Sequence, residues 1–206
     1  MALVAALQTL LHHYLGEDDI RVATSIANRN RPGADRLIGP LANMVILRTD
    51  LGGDPSAEDV MCRVRMTTLA AFANQDFPIE ELAAILDRER KVKPGSLANM
   101  LILLENATLR PIGGAGSKLT FEEANADMLM PLVTMTTFDV ILMFKERNNE
   151  LVASCVYKPH IFTAATIECL LRDFEEVLEQ MVREPTRPIS KIRASLAGEG
   201  LPRVTV

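Results

Sequence analysis

The sequence predicts an α/β fold: a single layered domain in which a mixed β-sheet is covered by helices. Three observations predict it. Apolar residues recur at helical spacing in four segments, short β-branched runs alternate with those segments, and the 206-residue length with 48% hydrophobic residues supplies one substantial core.

The first element is a helix, because Leu3, Val4, Leu7, Leu10, Leu11 and Tyr14 share one face and Gly16 follows as a stop signal. Ile20, Val22, Thr24 and Ile26 then alternate at period two, a half-buried strand that the turn chemistry of NRNRPGAD ends. MVILR at 44–48 is a second strand. Ser56 with Asp59 three residues on forms a capping box ahead of a helix from Ala57 to about Phe72. NQDFP breaks that helix, and Ile79 to about Leu86 begins another, with Asp76 as its expected cap and Pro78 in its first turn.

Basic RERKVKPGS connects to LANMLILLE, a buried-strand pattern. From Asn106 to Met130 periodicity weakens, and one short strand is expected at Leu119–Phe121. FDVILMFKE and ELVASCVYK flank the polar turn RNN and form a hairpin. Thr163 opens the longest helix, which runs to about Arg183 with Ile167, Leu170, Leu171, Phe174, Val177, Leu178 and Met181 on one face. Pro185 and Pro188 stop it. Residues 1–185 are therefore read as the domain and 186–206 as a linker-like tail.

Composition narrows the function classes. Twenty-two Lys and Arg against 27 Asp and Glu leave a net charge of -5, which provides no general attraction to nucleic acid or anionic membrane. Aromatic residues make up 4%, with no Trp, so base-stacking platforms have little material. The apolar amino end has no basic flank and is too short for a membrane span. Cys62, Cys155 and Cys169 lack any metal-binding spacing, which predicts no metal and reduced thiols in a cytoplasmic protein.

No self-sufficient catalytic motif is present. HHYLGEDD superficially approaches HHxxxDG, but Glu17 and Asp18 occupy the positions where that signature needs Asp and Gly. At 100° per residue His12 and His13 fall about 140° and 120° from the centre of the first helix's apolar stripe, so both are read as solvated helix residues. His160 is read as a surface residue. GGAGS lacks the Lys and the strand-to-helix context of a phosphate cradle.

Several segments, taken in order, resemble the carboxy-terminal half of the condensation domain of nonribosomal peptide synthetases. LLHHYLGEDDIRVATSIANRNRP is similar to the family's helix, strand and ANR turn, which includes Arg29. LIGPLANMVILRTDL resembles its IGxFxN...LR motif, with Gly39, Asn43 and Arg48. FANQDFPIEELAAIL is similar to HQDxPFExL, with Gln75, Asp76 and Pro78. SLANMLILLEN stands in place of PLFxVxFxxxN, TTFDVILMF resembles the family's FDL strand through Phe138 and Asp139, and CVYKPHIFTAATIECLLRDFEEVLEQMVREPTRPIS is like its ending. Pro40 and Leu41 stand where aromatic residues are common, Ala23 where Gly is usual, and Asn74 where His is frequent.

The resemblance implies half of a chloramphenicol acetyltransferase-like fold. It implies a part in joining an acyl or peptidyl thioester to an aminoacyl thioester, both carried on phosphopantetheine arms of partner carrier proteins, with no cofactor held by this chain. It places Asn43 and Asp139 at the substrate channel, Asn43 either orienting a carbonyl or amine or capping a strand end, and Asp139 either organising buried hydrogen bonds or serving as an edge acid. Arg29, Gly39, Arg48, Gln75, Asp76, Pro78 and Phe138 are expected in structural roles, Arg48 in an ion pair. The HHxxxDG histidine belongs to the family's amino-terminal lobe, so no catalytic residue is assigned here and the chain is expected to be inactive alone. The expected partners are carrier proteins and that lobe. The rival reading is a non-catalytic module that docks either, and an exposed half-interface predicts self-association.

Overall fold

The computed structural model describes residues 1–89, 97–105, 137–147 and 150–192. In chain order these form α1 (Ala2–Leu15), β1 (Asp19–Ile26), a 3-10 turn (Ala34–Arg36), β2 (Asn43–Asp50), α2 (Ala57–Ala73), α3 (Ile79–Arg88), β3 (Met100–Glu105), β4 (Val140–Arg147), β5 (Glu150–Tyr157), α4 (Ala164–Arg183) and a second 3-10 turn (Ile189–Lys191). The strands make one mixed sheet in the order β2-β1-β3-β4-β5. The outer pairs are antiparallel, while β1–β3 and β3–β4 are parallel.

Local chemistry sets the helix ends. Gly16 takes φ +67, which a glycine adopts without a Cβ clash, and its N–H returns to His12 O at 2.9 Å. Ser56 Oγ accepts from Asp59 N at 3.1 Å while Asp59 Oδ2 accepts from Ser56 N at 3.1 Å, the reciprocal box that the S-x-x-D spacing encodes. Thr163 Oγ1 accepts from Thr166 N at the start of α4. Asp76, expected to cap α3, does not: Pro78 is the N-cap and offers no side-chain acceptor.

One face of the sheet carries Ile20, Val22, Val45, Leu47, Met100, Ile102, Val140, Leu142 and Phe144 against Leu7 and Leu10 of α1 and Leu170, Phe174 and Val177 of α4. Each such burial contributes about 1.5–3 kcal/mol. Phe144 and Phe174 bridge the two layers with ring centroids 5.3 Å apart. α2 covers the open edge of β2, where Thr67 Oγ1 donates to Arg48 O and Arg63 Nη1 donates to Asp50 O and Gly52 O. These bonds occupy acceptors that an edge strand would otherwise present to another chain.

Two buried polar residues hold this layer together. Gln8, fully buried in α1, donates its amide to Leu47 O at 2.9 Å and Ile20 O at 3.4 Å. Asp173 is 2% exposed and accepts the Tyr14 hydroxyl at 2.8 Å.

The second face is formed by Ala23, Leu101, Ile141 and Val156 with Ala98 and Phe138, and Met44, Ile46, Leu103 and Met143 pack partly buried beside them. The expected linker from 186 begins inside the fold. Ile189 and Ile192 are buried, Arg187 O and Pro185 O accept from the first amides of α2, and Asp54 accepts from Ser190 N and Oγ. Two Ile three residues apart on a 3-10 turn carry too little periodicity to be read as core from sequence. Residues 193–206, and the strand expected at Leu119–Phe121, lie outside the described residues.

Candidate functional site

The residues singled out by sequence fall into two groups. The first surrounds the loop between β1 and β2. Arg29 Nη1 donates to Ala34 O at 2.6 Å and Leu37 O at 2.8 Å, and Nη2 donates to Gly39 O at 3.3 Å, so one guanidinium gathers three loop carbonyls. Gly39 takes φ +156, a conformation that L side chains rarely adopt, and its carbonyl also receives Leu41 N at 3.0 Å. Pro40 lies between Gly39 and Leu41 and contributes no amide donor to the loop.

Asn43, at the start of β2, locks this loop to the α2–α3 turn. Its Nδ2 donates to Gln75 O and to Phe77 O, both at 2.8 Å, and its Oδ1 accepts Met44 N at 2.9 Å. Both amide hydrogens are thus committed within the chain. Asp76 accepts from Arg31 Nη2 at 3.2 Å, a second tie between the same two segments. Asn74 ends α2, with its amide donating to Ala70 O.

The second group lies at the base of the β4–β5 hairpin. Asp139 pairs with Lys158 Nζ at 2.9 Å, the two side chains being 13% and 17% exposed. Asp139 N donates to Asn99 O and Lys158 N donates to Asp139 O, so the pair pins the openings of β3 and β4 to the close of β5. Phe138 beside it is buried in the second-face core. Lys158 carries no motif that marks it in the sequence, although the hairpin register contains it: Val140 faces Tyr157, which sets residue 139 opposite 158.

The structure does not bring Asn43 and Asp139 together. Asn43 lies level with Ile26, whereas Asp139, by way of Met100 and the Ala23–Leu101 pairing, lies level with Arg21. Five residues at about 3.3 Å and three strand spacings of about 4.8 Å separate the two by roughly 20 Å.

Arg48 pairs with Asp19 on the neighbouring strand at 2.7 Å. The bond from Arg48 holds the Asp19 carboxyl below its ordinary pKa. Both groups are well exposed, so the pair adds little stability. Beside it runs a shallow groove of about 360 Å³ lined by Thr49, Asp50, Gly52, Arg63, Met66 and Thr67.

The histidines are not simply solvated. His12 Nδ1 lies 2.7 Å from Glu17 O and 3.6 Å from Asp18 Oδ1, while His13 turns toward the Ile189 turn with Nε2 buried and without a partner. The cause is tertiary, since the chain beyond α4 folds back over the carboxy end of α1. Burial, then the neighbouring His12, hold the His13 pKa below 6.5. The unfolded chain therefore takes up this proton first, and stability is lost as pH falls from 6.5 to the folded value. Urea unfolding at pH 7.5 and pH 5 should show wild type losing more stability than His13→Gln. An equal loss would remove His13 from the account. Asp19, Asp54 and Asp59, all with lowered pKa, lose their contribution only as pH falls below 3.8.

The three cysteines are unpaired, and burial pushes the Cys155 thiol up to about 11, which suppresses its reactivity. Among the described residues no group of three or more His, Cys, Asp or Glu could hold a metal ion, and no helix is long and apolar enough to cross a membrane.

A family model for the condensation domain matches residues 1–199. The chain belongs to the condensation-domain family. This condensation-domain chain is 36% identical over 192 residues to a linear gramicidin synthase of Brevibacillus parabrevis, a match covering 93% of the chain and 4% of that protein. Tyrocidine synthase 3 of the same organism is 30% identical over 192 residues, covering 93% of this chain and 3% of its own length. The chain thus spans a small fraction of the length of these relatives. Among solved structures it is similar to the X-domain in the complex of the X-domain and OxyB from teicoplanin biosynthesis, with a TM-score of 0.69 and 26% identity over 95% of this chain and 42% of that one. The first condensation domain of the CDA synthetase gives 0.70 at 16% identity, covering 93% and 41%. The fold is the expected chloramphenicol acetyltransferase-like one, a mixed sheet with flanking helices.

Proposed function

We propose that this chain is the carboxy-terminal half of a condensation domain, and that it orients two carrier-bound phosphopantetheine thioesters for amide formation without making the bond alone. The observation that carries the reading is coverage: nearly all of this chain superposes on about two fifths of chains with the complete fold. In the reaction the acceptor amine attacks the donor thioester carbonyl, a C–N bond forms as the C–S bond breaks, and the amine proton must be removed. Among the described residues no imidazole stands in the groove, and the sequence holds no HHxxxDG. The chain's share is therefore positioning.

In this reading Asn43 and Asp139 shape the channel wall. Asn43 acts through the 75–77 turn and Asp139 through the hairpin base, each as a positioning residue. The prosthetic arms belong to carrier proteins, and the complement is an amino-terminal lobe. The three unpaired thiols fit a cytoplasmic setting.

The test is a condensation assay with loaded donor and acceptor carrier proteins, run on the chain alone and with a separately expressed amino-terminal lobe. Product is expected only in the mixture. Product from the chain alone would overturn the reading. No product in either, with binding of the added lobe shown independently, would favour a second reading as a docking module, which the X-domain's occurrence in a complex with OxyB supports.

A further inference from the structure

We propose that residues 185–192 form a strap that clasps the carboxy end of α1 to the amino end of α2, and that a proton taken up by His13 releases it, so that pH sets how firmly the chain leaving α4 is held to the domain. The strap runs back over the loop before α2. Pro185 O accepts Glu58 N at 2.7 Å and Arg187 O accepts Ala57 N at 3.0 Å, so it supplies acceptors for the first two amides of α2, which have none within the helix. Ile189 N donates to Pro55 O at 2.9 Å, and Ser190 donates through N and Oγ to the two carboxylate oxygens of Asp54 at 2.9 and 2.8 Å. Ile189 and Ile192 are buried. All of these bonds join the strap to residues 54–58, so it can peel away while the strands stay paired, an opening of smaller extent than global unfolding.

His13 stands where the strap crosses α1. Its Nε2 is buried against the Ile189 turn without a hydrogen-bond partner. A neutral imidazole tolerates that place, because its unprotonated nitrogen has nothing to donate. An imidazolium carries a donor on both nitrogens and a charge that burial deprives of water. The charged groups facing the ring are His12 on its own helix and Asp54 on the loop before α2, and Asp54 is in turn approached by Lys191 of the strap and by His12. Burial and His12 oppose the proton, the Ile189 backbone and Asp54 favour it, and the opposition prevails.

The ring therefore binds its proton more tightly once the strap is away and water reaches it. With the pKa near 6.5 in the open state and lower in the closed one, the strap is firmest above pH 6.5 and loosens as pH falls from 6.5 to the closed value. Asp54 stays charged across this range, because its bonds from Ser190 hold its pKa below 3.8. The anchor is thus constant, and the imidazole is the part that changes.

Amide exchange followed by NMR on the full chain, corrected for the intrinsic pH dependence of exchange, tests this. The amides of Ala57, Glu58, Ile189 and Ser190 report the strap, and those of Leu142 and Phe144, on a strand paired on both sides, report the sheet. Between pH 7.5 and 5.5 the wild-type strap amides should lose protection, by at most about tenfold per pH unit since one proton is taken up. They should respond little to low urea, whereas Leu142 and Phe144 exchange more slowly and respond steeply. His13→Gln should abolish the pH dependence. Ser190→Ala should lower protection of Ala57, Glu58 and Ile189 about two- to tenfold at every pH and leave the pH dependence in place. The wild-type His13 ring, followed in the same spectra, should titrate below 6.5. Strap protection that ignores pH in wild type, a pH dependence that persists in His13→Gln, a His13 ring that titrates at or above 6.5, or strap amides that exchange only together with the sheet would each overturn the proposal.

Discussion

Lys158→Ala is expected to destabilise the chain by about 1–3 kcal/mol, because it strips the partner from a carboxylate that the fold has largely removed from water. Asp139 and Lys158 are 13% and 17% exposed and 2.9 Å apart, and Lys158 Nζ also reaches Thr137 O at 3.4 Å. An intact pair of this kind adds little net stability, since desolvation offsets most of the attraction. Removing one member leaves the other without its compensating charge. The loss lies where β3, β4 and β5 are tied through Asp139 N to Asn99 O and Lys158 N to Asp139 O, so the hairpin base loosens with it. The double variant Lys158→Met, Asp139→Leu should recover most of the loss, because both charges leave together. Urea unfolding of the three proteins decides the matter: a Lys158→Ala variant within about 0.5 kcal/mol of wild type would show that water compensates the carboxylate after all.

What the sequence made legible was local. Ser56 and Asp59 stand three residues apart and make the bonds their spacing implies, and the β-branched runs at 44–48 and 140–144 become strands. The missed features are those in which a residue's partner lies far along the chain. Gln8 sits among leucines in α1 and looks like a flaw in an apolar stripe until it meets carbonyls of β1 and β2. Asp173 belongs to the polar side of α4 by periodicity and is buried because Tyr14 of α1 crosses there. Asp76 has the residue type and position of a cap, but a guanidinium 45 residues earlier competes for it more effectively. The resemblance singled out Asn43 and Asp139 together, and how far apart they lie is set by strand register, which puts them at different levels of the sheet. Register depends on pairings between distant segments, which periodicity does not carry.

That separation sharpens what Asn43 can do, and Asn43→Asp is the variant that exposes it. The amide spends both hydrogens on Gln75 O and Phe77 O at 2.8 Å, and its own oxygen accepts Met44 N. Aspartate retains the last bond and loses the first two, and it turns a charged oxygen toward two carbonyl oxygens. Alanine loses the same bonds without the repulsion and admits water to the carbonyls. The expected order is therefore Asp worse than Ala, with about 2–3 kcal/mol lost for Asp and about 1–2 kcal/mol for Ala. Amide exchange in the 74–78 turn and at the start of α3 should rise in the same order, since Asn43 and the Arg31–Asp76 pair tie that turn to the β1–β2 loop. In the reconstituted condensation assay, a positioning role predicts activity falling in step with this loosening. Activity lost in Asn43→Ala with exchange and stability unchanged would instead mean that the amide leaves its carbonyls to touch the substrate. Unchanged stability in both variants, with activity retained, would remove the clamp from the account altogether. The geometry favours the first outcome, because an amide with both donors engaged at 2.8 Å has no hydrogen left to offer a thioester carbonyl.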